Sequence, residues 1–170
     1  MSTISNLLSD GKIKAVTLGL VDDELADRGL FGTTRLHSFL ENDLPAIQSR
    51  DAVLSAEEQL ANLLGRYLTN RPLVLLSPLS PIRHLANGIW ELKTLDLRVF
   101  GWFVERDSMI IDSGCDVKLL KSGKLNYSGF IAQTEYVRKT LGFSPTNCVQ
   151  GNQPHDILKN FTVLPKSKRS

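Results

Sequence analysis

Apolar and polar positions alternate at period two through residues 89–113, IWELKTLDLRVFGWFVERDSMIIDS. That is the pattern of strands on a packed sheet. Two polar breaks divide the run, at Thr94-Leu95-Asp96 and at Glu105-Arg106-Asp107. The predicted elements are three strands, over 89–93, 97–104 and 109–113, joined by tight turns into an antiparallel meander. With Lys93 opposite Arg98 across the first turn, Glu91 faces Phe100 and Ile89 faces Trp102. Trp90, Leu92 and Val99 then share one face, and Lys93 and Arg98 the other, because side chains alternate along a strand.

A second period, near 3.6, follows Ser55-Ala56-Glu57-Glu58. That tetrapeptide is a capping box, in which the serine hydroxyl and the glutamate satisfy early backbone N–H groups reciprocally. Leu60, Leu63, Leu64, Tyr67 and Leu68 come after it at helical spacing. A helix from Ser55 to near Asn70 is expected, with Leu60, Leu64 and Leu68 against the sheet. Another helix is expected over 129–141. There Phe130, Val137 and Leu141 share a face and Gly142 is placed for a left-handed C-cap. Residues 13–20 (IKAVTLGL) read as a strand, and a helix starting at Thr34 should break before Pro45. Asp22, Asp23, Glu24 and Asp27 form an acidic connection. After Ser113 come Lys118, Lys121 and Lys124, spaced by three. Residues 1–165 read as one domain, and 166–170 (KSKRS) as a disordered basic tail.

Composition narrows the function classes only a little. The chain has 170 residues, 42% hydrophobic and 22% charged, with a formal net charge of +2. A core is available at this length without metals or disulfides. The charge is too small to demand a nucleic-acid partner by itself. Cys115 and Cys148 lie in no CxxC arrangement and have no histidine at ligand spacing, so a reduced, cytoplasmic setting is expected. The N-terminus lacks a charged segment followed by a long apolar run, and no stretch approaches a membrane span. Phosphate-loop, dinucleotide, zinc-protease and nucleophile-elbow patterns are absent. Of His37, His84 and His155, His84 is the best placed for chemistry, on the approach to the sheet.

The sharpest chemical signal is the facing pair Lys93 and Arg98. Like charges directly opposite on a sheet are destabilising. Either a carboxylate, Glu91 or Asp96, compensates them, or a bound anion does.

The run LANGIWELK (85–93), then Leu97-Arg98-Val99-Phe100, then Met109-Ile110-Ile111, resembles the RelE/HigB superfamily of toxins, including its phage-derived members. The resemblance covers residues 82–118, under a quarter of the chain. It implies an α+β fold: a small antiparallel β-sheet with helices packed on one side, here with added N- and C-terminal extensions. Strand 13–20 and the helix through Leu60 and Leu68 would supply the remaining parts. It also implies the toxin of a toxin–antitoxin pair, a metal-free endoribonuclease cutting messenger RNA on the ribosome. Its partners would be mRNA, the ribosome and a cognate antitoxin, with no cofactor, no metal and no membrane.

The catalytic set implied by the resemblance is Lys93, Arg98 and Lys118. Gly114 fits the family's glycine, while Cys115 stands where an aromatic residue is usual. Arg83, His84 and Tyr127 are the candidates for RNA contact, Tyr127 by base stacking. The chemistry is consistent with these residue types. Metal-free cleavage needs a base for the 2′-hydroxyl and cations for the phosphate, and the arginine fork can hold two oxygens. The competing expectation is a non-catalytic phage or mobile-element module that grips a protein or RNA partner with the same sheet.

Overall fold

The computed structural model describes residues 2–21, 25–69, 74–76, 81–160 and 162–164. It is an α+β fold with helices packed on a six-stranded sheet. In chain order the elements are α1 (Ile4–Ser9), β1 (Ile13–Ala15), β2 (Gly29–Thr33), α2 (Thr34–Ser38), α3 (Ala56–Leu68), β3 (Val74–Leu76), β4 (Ile82–Ala86), β5 (Ile89–Lys93), β6 (Leu97–Glu105), β7 (Ser108–Asp116), α4 (Val117–Lys121), α5 (Tyr127–Thr140), α6 (Pro154–Ile157) and β8 (Thr162–Leu164). The sheet order is β1-β2-β7-β6-β5-β4, and β3 pairs with β8 separately.

The meander holds the expected register. Lys93 faces Arg98, Glu91 faces Phe100 and Ile89 faces Trp102. The meander has four strands, one more than expected, because β4 is joined to β5 through Asn87-Gly88. Both turn residues have positive φ, 54° and 75°, the conformation that a two-residue hairpin loop demands and that Asn-Gly supplies. The sheet is also mixed rather than wholly antiparallel, since β2 runs parallel to β7.

α3 is capped by Ser55 and Glu58 as the capping box requires. Leu60, Leu64 and Leu68 are each 1% exposed and share a core with Trp90, Leu92, Val99 and Phe103. The other face of the sheet is covered too. Ile89, Trp102 and Ile110 pack there with Leu7 of α1 and Phe143, and with Val137 and Leu141 around the end of α5. Helices therefore lie on both sides of the sheet, where one side was expected. The cause is in the strands, which carry apolar side chains at both odd and even positions and must be covered twice.

Three local expectations shift. The strand over 13–20 stops at Ala15, because the chain turns across α3 at Gly19. That glycine has φ 92°, and an added Cβ there would stand 2.1 Å from the Ala61 carbonyl oxygen. The helix begun at Thr34 passes into a π turn (Phe39–Asp43) and a 3-10 turn (Leu44–Ala46) that starts around Pro45. The helix expected over 129–141 begins two residues earlier, at Tyr127, behind the Asn126 cap. Gly142 has the expected left-handed φ of 90°. Asp22 to Glu24, Asn70 to Pro72 and the 166–170 tail lie outside the described residues. Both cysteines are free and buried. Among the described residues, no helix is long and apolar enough to cross a membrane.

Candidate functional site

Lys93 ends β5 and Arg98 lies near the start of β6, so the short 94–96 connection forces them side by side. They lie on the α5 face of the sheet, with Glu91 one strand-repeat behind Lys93. Glu91 is fully buried. Arg83 sits opposite it on β4, with Nη2 2.7 Å from Glu91 Oε1, while Arg98 Nε is 3.8 Å from Oε2. Neither carboxylate oxygen is in hydrogen-bond geometry with a described donor. The carboxylate is held by charge, between two guanidinium groups and beside an ammonium. Burial lowers the pKa of Lys93 below the usual lysine value; Glu91 opposes this, and the positive charges of Arg83 and Arg98 add to it.

Glu91 is therefore the compensating carboxylate that the facing cations require. Asp96 is occupied elsewhere. It accepts from Ser49 Oγ at 2.8 Å, Gln59 Nε2 at 2.6 Å and Arg50 Nε at 3.0 Å. Arg98 is fixed across the turn by its Nη1, which donates to the Thr94 and Leu97 carbonyls at 2.7 and 2.8 Å. Part of its fork is thus already used, and its side chain also hydrogen-bonds Tyr127.

The six residues expected at the site do not all converge. Lys93, Arg98, Arg83 and Tyr127 do. The Arg83 guanidinium lies over the Tyr127 ring, 5.6 Å from its centroid, and Phe100 meets that ring edge-on at 6.1 Å. Burial raises the Tyr127 phenol pKa, Glu91 raises it further and Arg98 opposes both. His84 does not join them. It follows Arg83 on β4, so it points to the opposite face, where it meets Trp90 edge-on at 5.2 Å. Its Nε2 accepts the Gly88 N–H at 3.2 Å, and burial lowers its pKa. This histidine braces the hairpin.

Lys118 does not join them either. It lies in the first turn of α4, where its backbone N–H donates to Asp116 Oδ1. Its side chain lines a separate cavity of about 560 Å³ with Phe39, Asp43 and Phe130. The cavity beside Lys93 and Arg98, about 380 Å³, is completed by Arg50, Lys121, Thr94 and Leu95. Sequence reasoning missed Arg50 and Lys121. Lys121 carried a signal, the three-residue lysine spacing, which reads equally for Lys118. Arg50 carried none; its place follows from its pairing with Asp96.

Chemically the site offers an anion cradle. Lys93 and Lys121 have no carboxylate within ion-pair distance among the described residues. Arg50 is neutralised by Asp96 and Arg98 is shared with Glu91. Cys115, opposite Arg98 on β7, is no nucleophile: burial pushes its thiol up to about 12, against the pull of Arg98. Among the described residues, no group of three His, Cys, Asp or Glu side chains is arranged to hold a metal ion. No protein-family model matches the chain, and no curated protein or solved structure matches it.

Proposed function

We propose that this protein is a metal-free endoribonuclease that cuts messenger RNA on the ribosome, acting as the toxin of a toxin–antitoxin pair in the cytoplasm. The observation that carries this reading is the cavity shared by Lys93, Arg98, Arg50 and Lys121 beside a buried Glu91. A dianionic phosphorane is the species such a cluster stabilises best. In the reaction the neutral form of Lys93 takes the proton of the ribose 2′-hydroxyl, a role its lowered pKa favours. The 2′-oxygen attacks phosphorus and the 5′-oxygen leaves with a proton from the Lys121 ammonium. The products are a 2′,3′-cyclic phosphate and a 5′-hydroxyl. Arg98 binds a non-bridging oxygen, and Tyr127 with Arg83 supports the neighbouring nucleotide.

A second reading has its own support. The cradle has lost Lys118, and half of Arg98 is committed to carbonyls. A set this thin suits a module that grips RNA or a protein partner without cutting it.

Expression of the wild-type chain with growth recording, and incubation of the purified protein with mRNA and ribosomes, separates the two. The enzyme reading expects growth arrest and ribosome-dependent cuts bearing cyclic phosphate ends. Arg98→Ala should slow cleavage by roughly 10²–10³, the loss typical of one preorganised donor to a developing oxyanion. Arg98→Lys should restore only part of it, since a point charge does not reproduce a fork. Binding of RNA without any cut by the wild type would leave the gripping module standing and remove the enzyme.

A further inference from the structure

The Asn87-Gly88 turn lies at the opposite end of β5 from Lys93. Beside it is a further cavity of about 550 Å³, with His84, Asn87, Gly88, Glu135, Arg138 and Gln150 on its walls. Arg138, in the last turn of α5, is only 3% exposed. Its Nη1 donates to the Asn87 carbonyl at 2.8 Å. No carboxylate lies within ion-pair distance of its guanidinium among the described residues. A buried guanidinium without a counter-charge is costly, and the negative end of α5 offsets only part of that cost.

Glu135 lies three residues earlier on the same helix. A glutamate and an arginine at that spacing are neighbours on a helix surface and ordinarily attract. Here they do not pair. Arg138 is held to the Asn87 carbonyl, and Gly88 packs against the same nitrogen, closely enough that an added Cβ would stand 3.2 Å from it. The cavity wall thus carries one positive and one negative group, held apart. The other polar groups add acceptor capacity. Gln150 donates its amide nitrogen to the Pro145 and Cys148 carbonyls, which leaves its Oε1 free to accept. His84 accepts the Gly88 N–H through Nε2, which puts the ring proton on Nδ1.

We propose that this cavity binds a free α-amino acid, its carboxylate on Arg138 and its ammonium on Glu135 and Gln150. A net-neutral wall with separated charges matches a zwitterion and disfavours a plain anion, which Glu135 would repel. The volume falls within the roughly 300–1,000 Å³ usual for small-molecule sites. The inference is independent of the RNA reading, because the two cavities lie at opposite ends of β5 and share no residue.

Titration of the full chain with each standard amino acid, followed by calorimetry and by ¹H–¹⁵N spectra, tests it. Acetate and methylammonium serve as single-charge probes. At least one amino acid should bind saturably, with shifts at Gly88 and in the second half of α5, and both single-charge probes should bind at least about tenfold more weakly. Glu135→Gln, which breaks no ion pair, should weaken the amino acid by about tenfold or more, the loss of one charge-assisted contact. Arg138→Lys should weaken it comparably if its melting transition stays cooperative. Absence of binding by every amino acid at millimolar concentration overturns the proposal. So does acetate binding as tightly as the best amino acid, or an affinity indifferent to Glu135→Gln.

Discussion

The two faces of the sheet are built on different principles. On the α3 side, leucines at helical spacing interlock with Trp90, Leu92, Val99 and Phe103. On the α5 side, Glu91, Arg98, Trp102 and Ser113 each bury a polar atom with no hydrogen-bond partner among the described residues. α5 fully buries only Thr134 and Arg138, whereas α3 buries a leucine on nearly every turn. The first face is apolar and well covered. The second holds charge in a low-dielectric setting, where each interaction is strong when matched and expensive when not. The α3 face is thus a purely apolar core, whereas the α5 face combines a smaller apolar core with buried charge. That division is why the candidate site lies under α5 even though α3 is the better-packed helix.

The largest expected effect breaks the charged face. Glu91→Gln leaves Lys93, Arg83 and Arg98 around a neutral amide. Removing one partner of a buried ion pair typically destabilises by about 3–5 kcal/mol. The midpoint of a denaturant melt should fall accordingly. Added phosphate should recover part of the loss by occupying the cation cluster. A Glu91→Gln melt indistinguishable from wild type would mean that solvent, and not this carboxylate, screens the cations.

The apolar face should respond differently. Leu64→Ala should destabilise by roughly 2–5 kcal/mol, through lost transfer energy and a residual cavity. Phosphate should not restore it selectively, because no charge is involved. Equal recovery of both variants by phosphate would erase the distinction between the faces. A Leu64→Ala change within error would show that this helix face contributes little core.

The same contrast explains what was legible in the sequence. The α3 face is written in local periodicity: the capping box at Ser55 and the leucines after it are one segment, and the structure returns them almost residue for residue. The meander register was legible because short turns leave few ways to pair alternating strands. The site was legible only in part. Lys93 and Arg98 are turn neighbours, and Glu91 is two residues from Lys93, so a local rule finds them. Arg50 and Lys121 arrive from a distant loop and from a helix that carries no amphipathic signal. Lys118 and Lys121 look alike in sequence, and only the course of α4 separates the cavities they line. His84 stands apart from Arg83, Lys93 and Arg98 because the strand alternation that puts Arg83 beside Glu91 sends its neighbour to the other face. The 13–20 strand failed for a tertiary reason, the close passage of Gly19 over α3.

The smallest expected effect compares two buried aspartates by pH. Asp96 is bonded to Gln59 of α3 and to the 49–50 loop. Burial alone would raise its pKa, but the hydrogen bonds from Gln59, Ser49 and Arg50 together hold it down to about 2. Its unfolded value is about 3.9. A carboxylate depressed in the folded state contributes stability that is complete above the unfolded value and is lost as pH falls through the folded one. Asp96 should therefore cost the protein stability between about pH 4 and pH 2, and Asp96→Asn should melt with less acid dependence in that window. Asp112, left without a partner on β6 because Phe100 pairs with Ser113 and Gly101 with Ile111, has the opposite sign. Burial raises its pKa, against Arg35 and the Thr33 hydroxyl, so the fold takes up its proton more readily than the unfolded chain does. Stability from this group rises as pH falls toward the unfolded value and is lost as pH climbs through the folded one. Asp112→Asn should remove that rise while leaving the acid loss below pH 4 in place. Melting temperatures for the wild type and both variants, measured from neutral pH down to pH 2, check the pair. An acid loss that survives Asp96→Asn unchanged would assign the lability to another carboxylate.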